Sequence, residues 1–181
     1  MPTNIEVKAK AEDFDGLRRL VEQLSDTPCV TLQQEDTFFN TPRGRLKLRV
    51  LAPDHGELIY YVRDDATGPK RSDYAISMTA EPDTLKAVLA AAWGIRGVVR
   101  KQRWLYTVAN TRIHLDNVEG LGTFLELEVV LSAGQSEQQG HAMAAELVAK
   151  LGLQDSDLVD VAYIDLFDKG LASRDERFKS P

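Results

Sequence analysis

Residues 112–131, RIHLDNVEGLGTFLELEVVL, read as two β-strands joined by a Gly-flanked turn at Gly120-Leu121-Gly122. Side chains alternate between the two faces of a strand. In the first strand Ile113 and Leu115 therefore point one way, and Arg112, His114 and Asp116 the other. In the second, Leu125, Leu127, Val129 and Leu131 share a face, opposite Phe124, Glu126 and Glu128. A hairpin with one apolar and one charged face is ordinary when the charges meet water. Its meaning depends on whether other strands repeat the pattern.

They do. Asn4 to Lys10 alternates Ile5, Val7 and Ala9 with Glu6, Lys8 and Lys10. Gln33 to Asn40 reads as a further strand. Arg45 to Val50 sets Arg45, Lys47 and Arg49 against Leu46, Leu48 and Val50, and three cations on one face repel unless an anion or solvent offsets them. Glu57 to Arg63 places Leu58, Tyr60 and Val62 opposite Ile59, Tyr61 and Arg63. Beyond the loop at Asp64 to Pro69, Arg71 and Asp73 are read as a charged face, with Lys70 in the loop itself. Val98 to Val108 separates Lys101, Arg103, Leu105 and Thr107 from Arg100, Gln102, Trp104, Tyr106 and Val108.

Helices fill the gaps. Asp13 caps one with Leu17, Leu20, Val21 and Leu24 on a stripe. Pro82 and Asp83 open a second, which runs to about Trp93 and ends at Gly94. The pair Ser136 and Gln139 is a capping box for a third, carrying Ala144, Leu147, Val148 and Leu151. Asp155 to Phe167 is expected to be a fourth, and a polar tail is expected over residues 171–181, beyond one domain spanning 1–170.

The strand faces opposite the apolar ones gather ten of the 22 Lys and Arg residues and five of the 28 Asp and Glu residues, a net charge of +5 on a chain whose total is -6. Such a face is either the solvated side of an open sheet or the lining of a closed one. A closed basic cavity invites a polyanion, and Glu6, Glu126 and Glu128 would supply hard oxygen ligands for Mg²⁺ or Mn²⁺. No GxxxxGK[ST] loop is present for phosphate. The single cysteine, Cys29, and three scattered histidines argue against a disulfide or the common zinc sites. Without a membrane-length apolar run or a signal-peptide pattern, the expected setting is cytoplasmic, with no membrane partner. The acidic exterior argues against nucleic acid as a partner.

These segments resemble the CYTH, or triphosphate tunnel metalloenzyme, superfamily. Asn4-Ile5-Glu6-Val7-Lys8 is similar to its ExExK strand, with Asn4 in place of the first Glu. Gln34-Glu35-Asp36-Thr37-Phe38-Phe39 resembles the QxDxYF segment of the class IV adenylyl cyclase branch, and Leu46-Lys47-Leu48-Arg49 its LRxR strand. Asp116 with the following Gly120 to Glu128 resembles the D-x-V-x-GLGxFxExE pair. Tyr163 stands where many members carry a C-terminal Tyr.

The resemblance implies an α+β fold, an eight-stranded antiparallel β-barrel with surrounding helices. Its tunnel would bind a small-molecule triphosphate (a nucleotide, thiamine triphosphate or inorganic tripolyphosphate) with Mg²⁺ or Mn²⁺. By that similarity Lys8, Arg49, Lys101 and Arg103 are assigned to the catalytic centre. Arg45, Lys47, Arg63, Lys70, Arg71, Arg112 and Tyr163 are assigned to substrate binding, and Glu6, Asp116, Glu126 and Glu128 to the metal. A homodimer stays open. Asn4 either weakens one metal position or lies before the strand and takes no part. Several residues also have plain structural readings: Asp116 as a partner for Arg112, Lys70 as a solvated lysine, His114 as a structural histidine, Lys10 and Arg100 as surface charges, Trp93 and Trp104 as core aromatics.

Three functions are compatible with the lining. A cyclase converting ATP to cyclic AMP and pyrophosphate is placed first, a triphosphatase second, and a non-catalytic polyphosphate binder third.

Overall fold

A computed structural model describes residues 2–63, 65–66 and 68–169. Eight strands form a closed antiparallel barrel in the order β1-β5-β4-β3-β2-β6-β7-β8. They are β1 (Thr3–Lys10), β2 (Val30–Phe39), β3 (Arg45–Ala52), β4 (His55–Arg63), β5 (Lys70–Thr79), β6 (Ile95–Val108), β7 (Thr111–Val118) and β8 (Gly122–Val130). The β1 strand closes the cylinder by pairing with both β5 and β8. Closure resolves the ambiguity of the charged faces: except on β5, they line the interior.

Three helices cover part of the outside: α1 (Phe14–Leu24), α2 (Pro82–Trp93) and α3 (Glu137–Lys150). Asp13 accepts a hydrogen bond from Gly16 N at the start of α1, and Ser136 with Gln139 forms the capping box of α3. The apolar strand faces point outward against α1 and α3. Ile5, Val7, Ile113, Leu115, Leu125, Leu127 and Val129 are fully buried there with Val21 and Ala144. Gly140 lets α3 approach closely, since a Cβ there would stand 2.7 Å from Ile5 Cγ1. Trp104 packs edge-on to Phe14 at 5.2 Å, whereas Trp93, expected in the core, is 46 % exposed.

The expected helix over Asp155 to Phe167 is broken into parts. A 3-10 turn at Asp155–Asp157 leads to a bridge between Ala9 and Leu158, then to an extended step and a helix over 163–169. Val159 N donates to Lys8 O at 2.8 Å, which a helix over that segment would forbid. This segment lies across one end of the barrel. Val159, Val161, Ala162, Tyr163 and Ile164 pack there against Phe38, Val99, Val118 and Phe124. The polar tail expected over 171–181 lies outside the described residues. None of the described helices is long and apolar enough to cross a membrane.

Candidate functional site: a charged tunnel open at one end

The barrel encloses a cavity of about 330 Å³. Strand registers order its lining from floor to mouth. Near the floor stand Phe38, Tyr61 and Val99, together with Tyr163 of the closing segment. Above them come Lys8, Asp36, Lys47, Lys101 and Arg103, then Glu6, Arg49, His114 and Glu126. The open end carries Arg112 and Glu128 beside an apolar rim of Leu32, Leu51, Ile76 and Leu105. The cavity is thus charged inside and apolar at its mouth.

The charges are paired, and each pair follows from strand register. Lys8 lies opposite Glu126 and donates to Oε1 at 2.9 Å. Arg103 lies opposite Asp116, which it grips with Nε and Nη2, both at 2.6 Å, while Nη2 also reaches Glu126 Oε2 at 2.8 Å. Arg112 lies opposite Glu128 and donates through Nε at 2.9 Å. Arg63 donates to Glu6 Oε2 at 3.0 Å. Lys47 and Arg49 converge on Asp36, at 2.9 Å for Lys47 Nζ and 2.8 Å for Arg49 Nε.

Seven cations and five carboxylates line the cavity, a surplus of two positive charges. That corrects the +5 read from alternation alone. Lys10, Arg45, Arg71, Asp73 and Asp116 lie outside the lining, and Asp36 and Glu57 join it.

Burial and pairing set the protonation states. For Glu126, burial opposes ionisation, but Lys8, His114 and Arg103 outweigh it and hold the carboxyl well below its ordinary value. Asp116 is likewise held low, with Arg103 and then Lys101 overcoming its burial. Glu6 goes the other way: burial, then repulsion by Glu126 and Glu128, raises it. Glu6 and Glu128 face each other directly across β1 and β8. Burial, then the charge of Arg103, lowers His114 and favours neutral imidazole.

Lys101 is brought down to about 7, by burial first and Arg103 second. Its unfolded value is about 10.4. The unfolded chain therefore binds the extra proton between those limits, and the stability contribution of Lys101 rises with pH from about 7 to about 10.4. A polyphosphate anion bound beside Lys101 would restore its proton. Binding at pH 8 is thus expected to take up close to one proton, read by calorimetry in buffers of different ionisation enthalpy. Lys101→Met should abolish the uptake; an unchanged uptake in that variant would assign the proton elsewhere.

Most of the residues assigned from the sequence come together. Lys8, Lys47, Arg49, Arg63, Lys101, Arg103, Arg112, Tyr163, Glu6, Glu126 and Glu128 all line the cavity. Four assigned residues do not. Arg71 is exposed on the outer face of β5, paired with Asp73 and with Glu137 of α3, so its substrate assignment is corrected. Lys70 opens β5 instead of sitting in a loop, and its ammonium is held by the carbonyls of Ala66 at 2.7 Å and Asp160 at 2.8 Å. It thereby ties the closing segment to the barrel, and burial brings it down to about 8. Arg45 lies beneath the floor, bonded to Asp65 and Asp165 at 2.8 Å each. Asp116 lies below the lining, accepts from Arg103 through both oxygens and from Tyr163 Oη at 2.9 Å, and so holds the floor together. Lys10 and Arg100 are exposed, as expected of surface charges.

Three further lining residues were not assigned to the site from the sequence. Asp36 is 2 % exposed and is the counter-charge to Lys47 and Arg49. His114 groups with Glu126 and Glu128, one ligand atom of each lying within 4.8 Å of the others. Asn4 lies within β1, 3 % exposed, and its Oδ1 lines the same cavity without a hydrogen-bond partner among the described residues.

A divalent cation fits this donor set. Hard carboxylate and amide oxygens suit Mg²⁺ or Mn²⁺. Among the described residues no hydrogen bond reaches Glu6 Oε1 or Glu128 Oε1, and Asn4 Oδ1 is orphaned.

Comparison with known proteins places this geometry. Adenylate cyclase CyaB of Aeromonas hydrophila is 24 % identical over 188 residues, covering 97 % of this chain and 94 % of that protein. The PH1012 protein of Pyrococcus horikoshii OT3 superposes with a TM-score of 0.80 at 25 % identity, covering 90 % of this chain and 98 % of that one. HpAC1 from Hippeastrum, an adenylyl cyclase by name described as having a dominant triphosphatase activity, superposes with a TM-score of 0.67 at 15 % identity. It covers 94 % of this chain and 96 % of its own. The CYTH domain matches residues 2–163, the whole barrel with the first part of its closing segment, and the chain belongs to that family.

Proposed function

We propose that the chain is a metal-dependent enzyme acting on an organic triphosphate, in the manner of a class IV adenylyl cyclase. One observation carries the reading: among the described residues the closing segment covers one end of the tunnel, with cations deep inside and an apolar rim at the other end. A triphosphate entering phosphate-first would set its terminal phosphates among Lys47, Arg49 and Lys101. Its organic group would rest on Leu32, Leu51, Ile76 and Leu105, which an inorganic polyphosphate leaves in contact with water. Burying that apolar surface favours the organic substrate.

In the cyclase reaction the ribose 3′-hydroxyl gives up its proton as its oxygen bonds to the α-phosphorus, the bond from that phosphorus to the bridging oxygen breaks, and pyrophosphate leaves carrying the proton. Lys8, Lys47, Arg49, Lys101 and Arg103 neutralise charge on the departing pyrophosphate, and Arg112, at the mouth, holds the α-phosphate end in line. A divalent cation held by Glu6, Glu126 and Glu128, with Asn4 Oδ1 beside them, would polarise the phosphoryl oxygens. Triphosphate hydrolysis is the second reading. It draws on the same residues, and the triphosphatase activity attributed to HpAC1 keeps it in view.

The test incubates the protein with ATP, thiamine triphosphate and tripolyphosphate separately, with Mg²⁺ or Mn²⁺. Cyclic AMP and pyrophosphate from ATP are expected, with Glu126→Gln and Glu128→Gln each slower by on the order of 10²- to 10³-fold. Orthophosphate as the product would replace the cyclase reading with the hydrolytic one. Metal-insensitive binding without turnover would reduce the protein to a polyphosphate binder.

A further inference from the structure

The β7–β8 hairpin carries an imidazole that phosphate binding does not use. His114 has a side chain 5 % exposed, and its Nδ1 is a buried polar atom with no hydrogen-bond partner among the described residues. It stands 3.5 Å from Glu126 Oε2 and 3.8 Å from Glu128 Oε1. Both separations are long for a hydrogen bond. They suit another arrangement: donors each about 2.1 Å from one octahedral ion lie about 3 Å apart when adjacent and about 4.2 Å apart when opposite.

The neighbouring cations leave one of the two carboxylates a free oxygen. Arg112 occupies Glu128 Oε2, so Oε1 remains for an ion. Glu126 Oε2 is shared with Arg103, and Oε1 with Lys8. Across β1, Glu6 and the orphaned Asn4 Oδ1 line the same cavity and offer further oxygen.

We infer that His114 Nδ1, Glu126 and Glu128 form a mixed nitrogen–oxygen site that selects Mn²⁺ over Mg²⁺. Mg²⁺ gives up its hydration reluctantly and prefers oxygen donors, whereas first-row transition ions accept imidazole readily. His114 thus biases a site that two carboxylates alone would leave open to either ion. The inference rests on the metal dependence proposed above, and it concerns which atoms bind and which ion they prefer.

The experiment needs no substrate. Metal-free protein is titrated with Mn²⁺, bound ion is counted by electron paramagnetic resonance, and Mg²⁺ is added as competitor. Electron spin-echo modulation is then compared between unlabelled protein and protein made with ¹⁵N-histidine. One bound Mn²⁺ is expected, with a nitrogen modulation that changes on labelling and with displacement requiring Mg²⁺ in large excess. His114→Asn should lose at least about tenfold in Mn²⁺ affinity, since even an outer-shell partner of a metal costs that much. The isotope comparison uses the unmutated chain, so a folding defect in the variant leaves the inference testable.

Bound Mn²⁺ without histidine nitrogen, or equal affinity for the two ions, would overturn it. Triphosphate turnover supported by Mg²⁺ while Mn²⁺ shows no nitrogen leaves the enzyme reading standing and removes this one. Nitrogen-ligated Mn²⁺ in a protein that turns over no triphosphate does the reverse.

Discussion

Arg103→Met is expected to lower the unfolding free energy by about 3–5 kcal/mol, the cost of removing one partner from a buried ion pair. Arg103 is 3 % exposed and serves two carboxylates at once, Asp116 through both arms of its fork and Glu126 through Nη2. Its loss leaves Asp116 with Tyr163 Oη at 2.9 Å and Lys101 Nζ at 3.3 Å, and Glu126 with Lys8. Met is close in volume and fills the space, so the lost free energy reflects charge and hydrogen bonding more than a void. Arg103→Lys should recover little of it, because an ammonium cannot reproduce the two-armed contact.

The pH dependence has a definite sign. Asp116 sits below its ordinary value when folded, so its stabilisation is present above about pH 3.9 and fades as pH falls toward the folded value. Arg103 is the first of the charges that lower it. Acid should therefore narrow the gap between wild type and variant. Urea unfolding at pH 7 and at about pH 2.5, inside that window, followed by circular dichroism, measures both effects. Equal midpoints at pH 7 would mean that the network contributes nothing net.

How much of this was legible in the sequence depended on what each strand has behind it. On β1, β7 and β8 the outer face packs on helices, so Ile5, Ile113 and Leu125 alternate cleanly with Glu6, His114 and Glu126. Alternation then assigns the interior correctly. On β5 the outer face meets solvent and the N-terminal end of α3, while Tyr74 and Ile76 point into the cavity. There the polar face is the outside one, and reading charge as interior misplaced Arg71. Asp36 was hidden for a related reason. Its strand has Glu35, Thr37 and Phe39 on one side and Gln34, Asp36 and Phe38 on the other, with no apolar contrast between them. Only the pairing of Asp36 with Arg49 across β2 and β3 shows its role. The closing segment was illegible as well. Its apolar spacing suits a helix, and it is the long-range bond from Val159 N to Lys8 O that draws the chain out across the barrel end.

Asp36→Asn should destabilise the empty protein by about 3–5 kcal/mol and yet bind tripolyphosphate at least about tenfold more tightly. The two halves share one cause. Asp36 is buried, which opposes its ionisation, but Arg49, then Lys47 and Lys101, hold it charged well below its ordinary value. It accepts from Lys47 at 2.9 Å and from Arg49 at 2.8 and 3.0 Å, and so occupies the fork that an incoming phosphate needs. Asn keeps the shape but loses the charge, leaving Lys47 and Arg49, each with a side chain 13–14 % exposed, to repel one another. A polyanion then relieves that repulsion and no longer meets the carboxylate. Tripolyphosphate should accordingly raise the unfolding temperature of Asp36→Asn more than that of wild type, and calorimetry at fixed ionic strength should show the tighter binding. Turnover should fall, because a phosphate held by a loosened fork is held less exactly in line. Weaker binding in Asp36→Asn would overturn the competition argument: Asp36 would then be the strut that aims Lys47 and Arg49, and its charge would favour the bound anion by ordering them more than it opposes the anion by repulsion.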